Sequence, residues 1–181
     1  MLSQQGTLLS SMQQRHNRRD MDRKLKVYLD TSIINFAIAD DIPRGDKEAT
    51  QCLCEQINKG KYEGLISEVM LREINDTKDQ AKRGRLVKFV ESLELKEVLV
   101  VDDEVNTLAE KYISENIIPA RYVDDALHIA LASVSEADVL VSWNFKHIVR
   151  HKTRIEVMGV NTLMGYKSID ICTPREVIED V

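Results

Sequence analysis

The chain has 181 residues, which suits one domain able to bury roughly 70% of its unfolded surface without a covalent staple. No apolar run approaches the roughly 18 residues of a membrane helix, and Leu8, Leu9 and Met12 are too few for a signal-peptide core. A net charge of −5 argues by itself against a nucleic-acid binder. The three cysteines, Cys52, Cys54 and Cys172, fit neither a disulfide frame nor a zinc site, so reduced thiols and a cytoplasmic location are expected.

Residues 1–23 are polar, rich in Gln, Ser and Arg, and without sustained periodicity; they read as a flexible basic arm or an over-extended start, with Met21 as the initiator. The expected domain is 24–181. Val27–Asp30 is a strand, helix follows around Ser32–Ala39, and a second helix covers Asp46–Lys59, broken by Gly60. Tyr62–Ile66 reads as strand, Glu68–Ile74 as helix and Ala81–Glu91 as a basic amphipathic helix. Leu95–Val101 is a strongly apolar strand, Asp103–Glu115 a helix, and residues 117–120 the loop before a helix opened by Asp124 and Asp125. Ala137–Ser142 is the next strand, with a short helix at Asn144–Val149 and strand-like pieces at Ile155–Val160 and Ser168–Cys172. Thr173, Pro174 and Glu176 open a last helix with a capping box. Alternating β and α units imply a mostly parallel sheet covered by helices on both sides.

Charge is unevenly spread. Residues 1–29 carry six Lys/Arg against two acids, and residues 78–88 carry five against one. Residues 144–154 hold Lys146, Arg150, Lys152 and Arg154 with His147 and His151, and no acid. A charge run is usually a solvated helix face, and basic patches beside an acidic pocket are the alternative.

Three acids occupy unusual settings. Asp30 ends the run Lys-Val-Tyr-Leu, Glu73 lies within the apolar stretch Ile66–Ile74, and Asp125, with Asp124, opens an apolar helix. Ligand sites in α/β sheets lie beyond the carboxyl ends of the strands. If the acids converge there, repulsion must be relieved, since two like charges about 4 Å apart repel by roughly 4 kcal/mol at an effective dielectric near 20. Oxygen-only ligation selects Mg²⁺ or Mn²⁺ over zinc. Such an ion polarises a phosphoryl oxygen and activates water, so phosphodiester hydrolysis is the chemistry implied. Taken singly, Asp30 and Asp124 read first as helix caps and Asp125 as a first-turn acid favoured by the helix dipole. Glu73 has the weaker structural explanation, because a surface position would also accept Arg, Lys or Gln. The case rests on the set.

His128, one turn beyond Asp124, reads as a core histidine with satisfied nitrogens, or as a group that orients a carboxylate. His147 and His151 are spaced i, i+4 but lack a third ligand. A phosphatase of haloacid-dehalogenase type requires a second Asp where Ser32 stands, and a receiver domain requires a Lys-bearing strand end that is missing.

Together, Val-Tyr-Leu-Asp30-Thr-Ser, Ser67-Glu-Val-Met-Leu-Arg-Glu73-Ile, Asp124-Asp125-Ala-Leu-His-Ile-Ala-Leu-Ala and Asp138-Val-Leu-Val-Ser-Trp-Asn-Phe-Lys-His-Ile148 resemble the PIN-domain family, and within it the VapC-like toxins. The resemblance implies an α/β, PIN-like three-layer fold with a mostly parallel central sheet flanked by helices. It implies an Mg²⁺- or Mn²⁺-dependent ribonuclease acting on RNA, restrained by a small antitoxin, and a homodimer. By position, Asp30, Glu73 and Asp125 match the family's acidic ligands, with Asp124 in support. Asn144 stands where many members place a fourth Asp; its amide can bond a water or phosphate but adds no charge. That departure and the net acidity motivate the alternative of a non-catalytic PIN-like module that binds RNA or protein.

Overall fold

The computed structural model describes residues 23–178, so the arm expected over residues 1–23 lies outside it except for Arg23, which pairs with Asp138. Five strands form one all-parallel sheet in the order β3-β2-β1-β4-β5: β1 Lys26–Leu29, β2 Glu63–Ser67, β3 Leu95–Leu99, β4 Val139–Val141 and β5 Asp170–Cys172. The helices are α1 Thr31–Ile38, α2 Arg44–Asn58, α3 Glu68–Asn75, α4 Gln80–Glu91, α5 Asp103–Ser114, α6 Val123–Val134, α7 His151–Met164 and α8 Pro174–Val177. This is the three-layer α/β/α arrangement that the alternating pattern implied.

Side-chain alternation along the strands builds both faces. Tyr28, Leu65 and Leu140 point into a core completed by α5, α6 and α7. Their neighbours Val27, Leu29, Ile66, Val139 and Val141 point into a second core under α1, α2, α3 and α4. Burying each such side chain stabilises by about 1.5–3 kcal/mol, which fixes the register, since a one-residue slip would exchange the faces. The register pairs Tyr28 with Leu65 and Leu29 with Val141. The residues that follow β1 and β4, Asp30 and Ser142, therefore emerge side by side. Because the chain runs outward from β1 to β2 on one side and pairs β4 on the other, this is the topological switch point of the sheet.

Several local features depart from the sequence pattern. Ile155–Val160 is not strand but the middle of α7. Its buried positions, Thr153, Val157, Val160 and Asn161, recur at helical spacing, and Gly165 ends the helix at φ +81°. Residues 144–149 form a turn rather than a helix: the Asn144 carbonyl accepts from Ile148 and Val149 N–H, at 3.0 and 2.9 Å, while its side chain takes the His147 N–H. His147 and His151 consequently share no helical face. Strand β3 stops at Leu99 and is an edge strand whose Lys96, Glu97 and Val98 are exposed, so only its ends, Leu95 and Leu99, reach the cores.

Among the described residues no helix is long and apolar enough to cross a membrane. All three cysteines are free, and burial pushes the Cys54 and Cys172 thiols up to about 12.

Candidate active site

Strand β1 ends by delivering Asp30 into the N-cap of α1, where its Oδ1 accepts the Ser32 N–H at 3.0 Å and the Ser32 hydroxyl. Its Oδ2 accepts the Ser142 hydroxyl at 2.8 Å. Each hydroxyl is aimed by a backbone donor behind it. Trp143 N–H bonds Ser32 Oγ and Asn144 N–H bonds Ser142 Oγ, both at 2.8 Å, leaving each hydroxyl hydrogen for the carboxylate. Asp30 is 4% exposed, and burial raises its pKa against the opposing pull of His128 and the two serines. The cap reading therefore holds for this residue, and its place at the sheet edge is the one the site reading requires.

Helix α6 begins at Val123, with Tyr122 at the cap, so Asp124 does not cap it. Asp124 and Asp125 lie in its first turn. Asp124 turns outward to an exposed ion pair with Arg72. Asp125 is half-buried and accepts from Asn144 Nδ2 at 2.9 Å. Burial, with repulsion from Asp30, Glu73 and Asp124, raises its pKa to about 6 despite the charge of His128. Asn144 has no freedom to flip, because its Oδ1 accepts the His147 N–H at 3.0 Å and its amide nitrogen must face the acid.

Glu73 reaches the same edge from α3, which Ser67 caps at the end of β2. Its Oε2 accepts the Thr31 hydroxyl and stands 2.9 Å from His128 Nε2. The other ring nitrogen lies 2.7 Å from Tyr28 OH, which donates to Ser67 Oγ at 2.7 Å. With the tyrosine hydrogen directed at Ser67 and an acceptor-only carboxylate at Nε2, both imidazole nitrogens donate, which is the hydrogen-bonding pattern of an imidazolium. Burial opposes that charge, but the Glu73 bond and the carboxylates of Asp30, Glu73 and Asp125 overcome it and raise the His128 pKa. Glu73 is correspondingly lowered: its burial penalty is outweighed by His128, Thr31 and Arg72.

Four of the five expected groups, Asp30, Glu73, Asp125 and Asn144, thus meet at one edge. Asp30 joins Asn144 and Asp125 through Ser142, and Glu73 joins the two flanking elements through Thr31 and His128. Asp124 stays outside the network. The sequence pattern undervalued Ser32, Ser142, Thr31 and Tyr28. A signal was present for the hydroxyl residues at the sheet edge, since β2 is closed by Ser67, β4 is followed by Ser142, and Thr31 and Ser32 come after the Asp30 that follows β1. A cavity of about 460 Å³ beside Asp138, Arg154 and Met158 includes the amino-end residues of β4 and β5, away from this edge.

The donor chemistry can be set against a hard divalent cation. Asp30 and Asp125 supply oxygen only and are both driven toward protonation, the situation a cation relieves. Glu73 Oε2 is occupied by Thr31 and His128, and both Asp30 oxygens accept serine hydroxyls. Among the described residues no three His, Cys, Asp or Glu side chains are arranged to hold an ion. What speaks for a hard divalent cation is the donor type, carboxylate oxygen without thiolate, at a sheet edge.

No family model matches the chain, and no curated protein sequence matches it. Among solved structures it is similar to a chain in the crystal structure of VapBC2 from Rickettsia felis bound to a DNA fragment from their promoter. The identity is 15%, the TM-score 0.51, and the match covers 81% of this chain and 97% of that one. DNA-bound VapBC from Salmonella typhimurium is similar at 19% identity and a TM-score of 0.49, over 81% of this chain and 96% of that one. The first likeness shows the fold, and it is the PIN-like α/β arrangement with a parallel central sheet that the sequence blocks implied.

Proposed function

We propose that this chain is a metal-dependent endoribonuclease that hydrolyses RNA phosphodiester bonds, and that it is the toxin of a toxin–antitoxin pair. The observation that carries the reading is the pair Asp30 and Asp125 at the switch point, two carboxylates whose pKa values are raised first by burial and then by neighbouring carboxylates, Glu73 for Asp30 and Asp30, Glu73 and Asp124 for Asp125. A bound Mg²⁺ or Mn²⁺ would supply Lewis acidity and lower the pKa of a water. Asp30 and Asp125 would hold it. Ser32 and Ser142 keep Asp30 oriented by spending their hydrogens on its two oxygens. Asn144 does the same for Asp125. Glu73 and His128 form a charge pair that pins α3 to α6 and holds Glu73 beside Thr31, the residue next to Asp30.

The toxin assignment and a small antitoxin partner rest on the sequence resemblance and on the shared fold. The neutral amide of Asn144 and the engagement of Glu73 by His128 favour a second reading, a non-catalytic PIN-like module that binds RNA or protein. The two separate in a cleavage assay on structured and unstructured RNA with Mg²⁺ or Mn²⁺. The expected result is metal-stimulated cleavage by wild type and none by Asp30→Asn with the fold retained. Cleavage undiminished in Asp30→Asn would contradict the assignment, and binding without cleavage would favour the second reading.

A further inference from the structure

Beside Asp125 and Asn144 the surface changes character. Tyr122 lies three residues before Asp125, and Phe145 and Lys146 follow Asn144 directly. Arg121 Cζ stands 4.8 Å from the centre of the Tyr122 ring and Lys146 Nζ 5.3 Å from it, with the lysine also donating to the Tyr122 hydroxyl at 3.1 Å. The ring itself packs against the buried His147 at 3.9 Å. Phe145 is 59% exposed although it sits on an ordered aromatic stack. Its ring meets Trp143 at 5.9 Å, Trp143 stacks on Phe36 at 5.2 Å, and the indole N–H is fixed to Thr50 Oγ1 at 2.8 Å.

The charges here are uncompensated. Of the basic run 144–154, Lys152 pairs with Glu156 and Arg154 with Glu176. Among the described residues no carboxylate lies within ion-pair reach of Arg121 or Lys146. In a chain of net charge −5, a guanidinium and an ammonium held on Tyr122 without a carboxylate partner, at the rim of a carboxylate site, form a local anion trap. The turn that presents Phe145 and Lys146 is held in place, because Asn144 closes it and bonds Asp125 with the same side chain.

We propose that Phe145, Arg121 and Lys146 form a subsite for single-stranded RNA. Phe145 offers its exposed face to an unpaired base, and Arg121 and Lys146 take the adjoining phosphates, so that a neighbouring phosphodiester meets Asp30 and Asp125. A paired base has no free face to offer, which selects single strands over duplex. The flat cation–π pair on Tyr122 and the solvent-facing ring suit a nucleotide better than an acidic peptide, which would match the charges alone. The inference rests on the ribonuclease reading for its substrate class but makes a separate claim about binding.

The test is fluorescence anisotropy with a labelled single-stranded oligoribonucleotide of about twelve nucleotides, in chelator so that binding is read without cleavage. Phe145→Ala is expected to weaken binding about tenfold and Phe145→Trp to retain it. Arg121→Gln and Lys146→Gln should each lower the slope of log affinity against log salt by about 0.7. Unchanged melting midpoints establish that these surface variants fold. Wild-type affinity in Phe145→Ala, or a duplex bound as tightly as the single strand, overturns the subsite. So does displacement of the probe by an acidic peptide from wild type and Phe145→Ala alike. Metal-dependent cleavage is assayed on the same proteins. If cleavage needs Asp30 while binding ignores Phe145, the subsite fails and the nuclease reading stands. If RNA binds through Phe145 and is never cut, the nuclease reading fails and the subsite stands.

Discussion

His128 Nε2 stands 2.9 Å from Glu73 Oε2, and this pair joins α6 to α3 across the carboxyl edge of the sheet. The histidine is fully enclosed and its partner is one-third exposed. Replacing His128 with Leu removes the charge-assisted bond and leaves Glu73 and the Tyr28 hydroxyl short of a partner. The expected cost is about 2–3 kcal/mol in urea-induced unfolding. A loss below about 0.5 kcal/mol would mean that the pair carries no charge in the folded protein.

Stability of the metal-free protein should depend on pH in a defined direction. Asp30 and Asp125 have raised values, Asp125 at about 6, so the folded state binds more protons than the unfolded one between about pH 4 and 6. Their contribution therefore grows as the pH falls through that window. His128 is also raised, so its contribution is complete below its ordinary value near 6.5 and is lost as pH rises through the folded value. Glu73 is lowered, and its stabilising contribution disappears only at still lower pH, as its folded value is crossed. The melting midpoint in chelator should rise from about pH 8 to about pH 5 and then fall. A steady decline over the upper part of that range would contradict the placement of the acids.

Asn144→Asp exchanges a donor to Asp125 for a second carboxylate. The lost bond and added repulsion should cost the metal-free fold about 1–3 kcal/mol, while Mg²⁺ or Mn²⁺ should raise the midpoint of the variant more than that of wild type. Equal metal responses in the two proteins would show that position 144 does not face the cation.

Ser142→Ala deprives Asp30 Oδ2 of its hydroxyl donor and the Asn144 N–H of its acceptor. A loss of about 1.5–3 kcal/mol is expected, read by thermal or urea melts, with reduced cleavage from a less constrained Asp30. Ser142→Thr keeps the hydroxyl and should recover most of both. If Ser142→Ala is silent, the serine does not orient the acid.

Much of this geometry was written into the chain locally. Val-Tyr-Leu followed by Asp30 reads as a strand that ends in a carboxylate, and a parallel sheet then fixes which edge it occupies. The long apolar run of α6 marked Asp125 as attached to a buried element. What could not be read was partnership across distance. His128 and Glu73 are 55 positions apart, and nothing local distinguishes a histidine bonded to a carboxylate from one satisfied in the core. The helical period of α7 is hidden because only Ile155 and Val157 alternate, Val160 follows three residues on, and Thr153 and Asn161, which complete the buried stripe, are polar letters. The turn at Asn144 escaped for a related reason: its side chain, rather than a backbone pattern, ends the would-be helix.

Calorimetric titration of Mn²⁺ into metal-free wild type and into Asp30→Asn/Asp125→Asn bears most directly on the paired-carboxylate site. Wild type is expected to show a saturable site, and the double variant none, while melting at a higher temperature than metal-free wild type because the buried repulsion is gone. Equal Mn²⁺ binding by the two proteins, or binding by neither, would contradict a cation site built on these two acids.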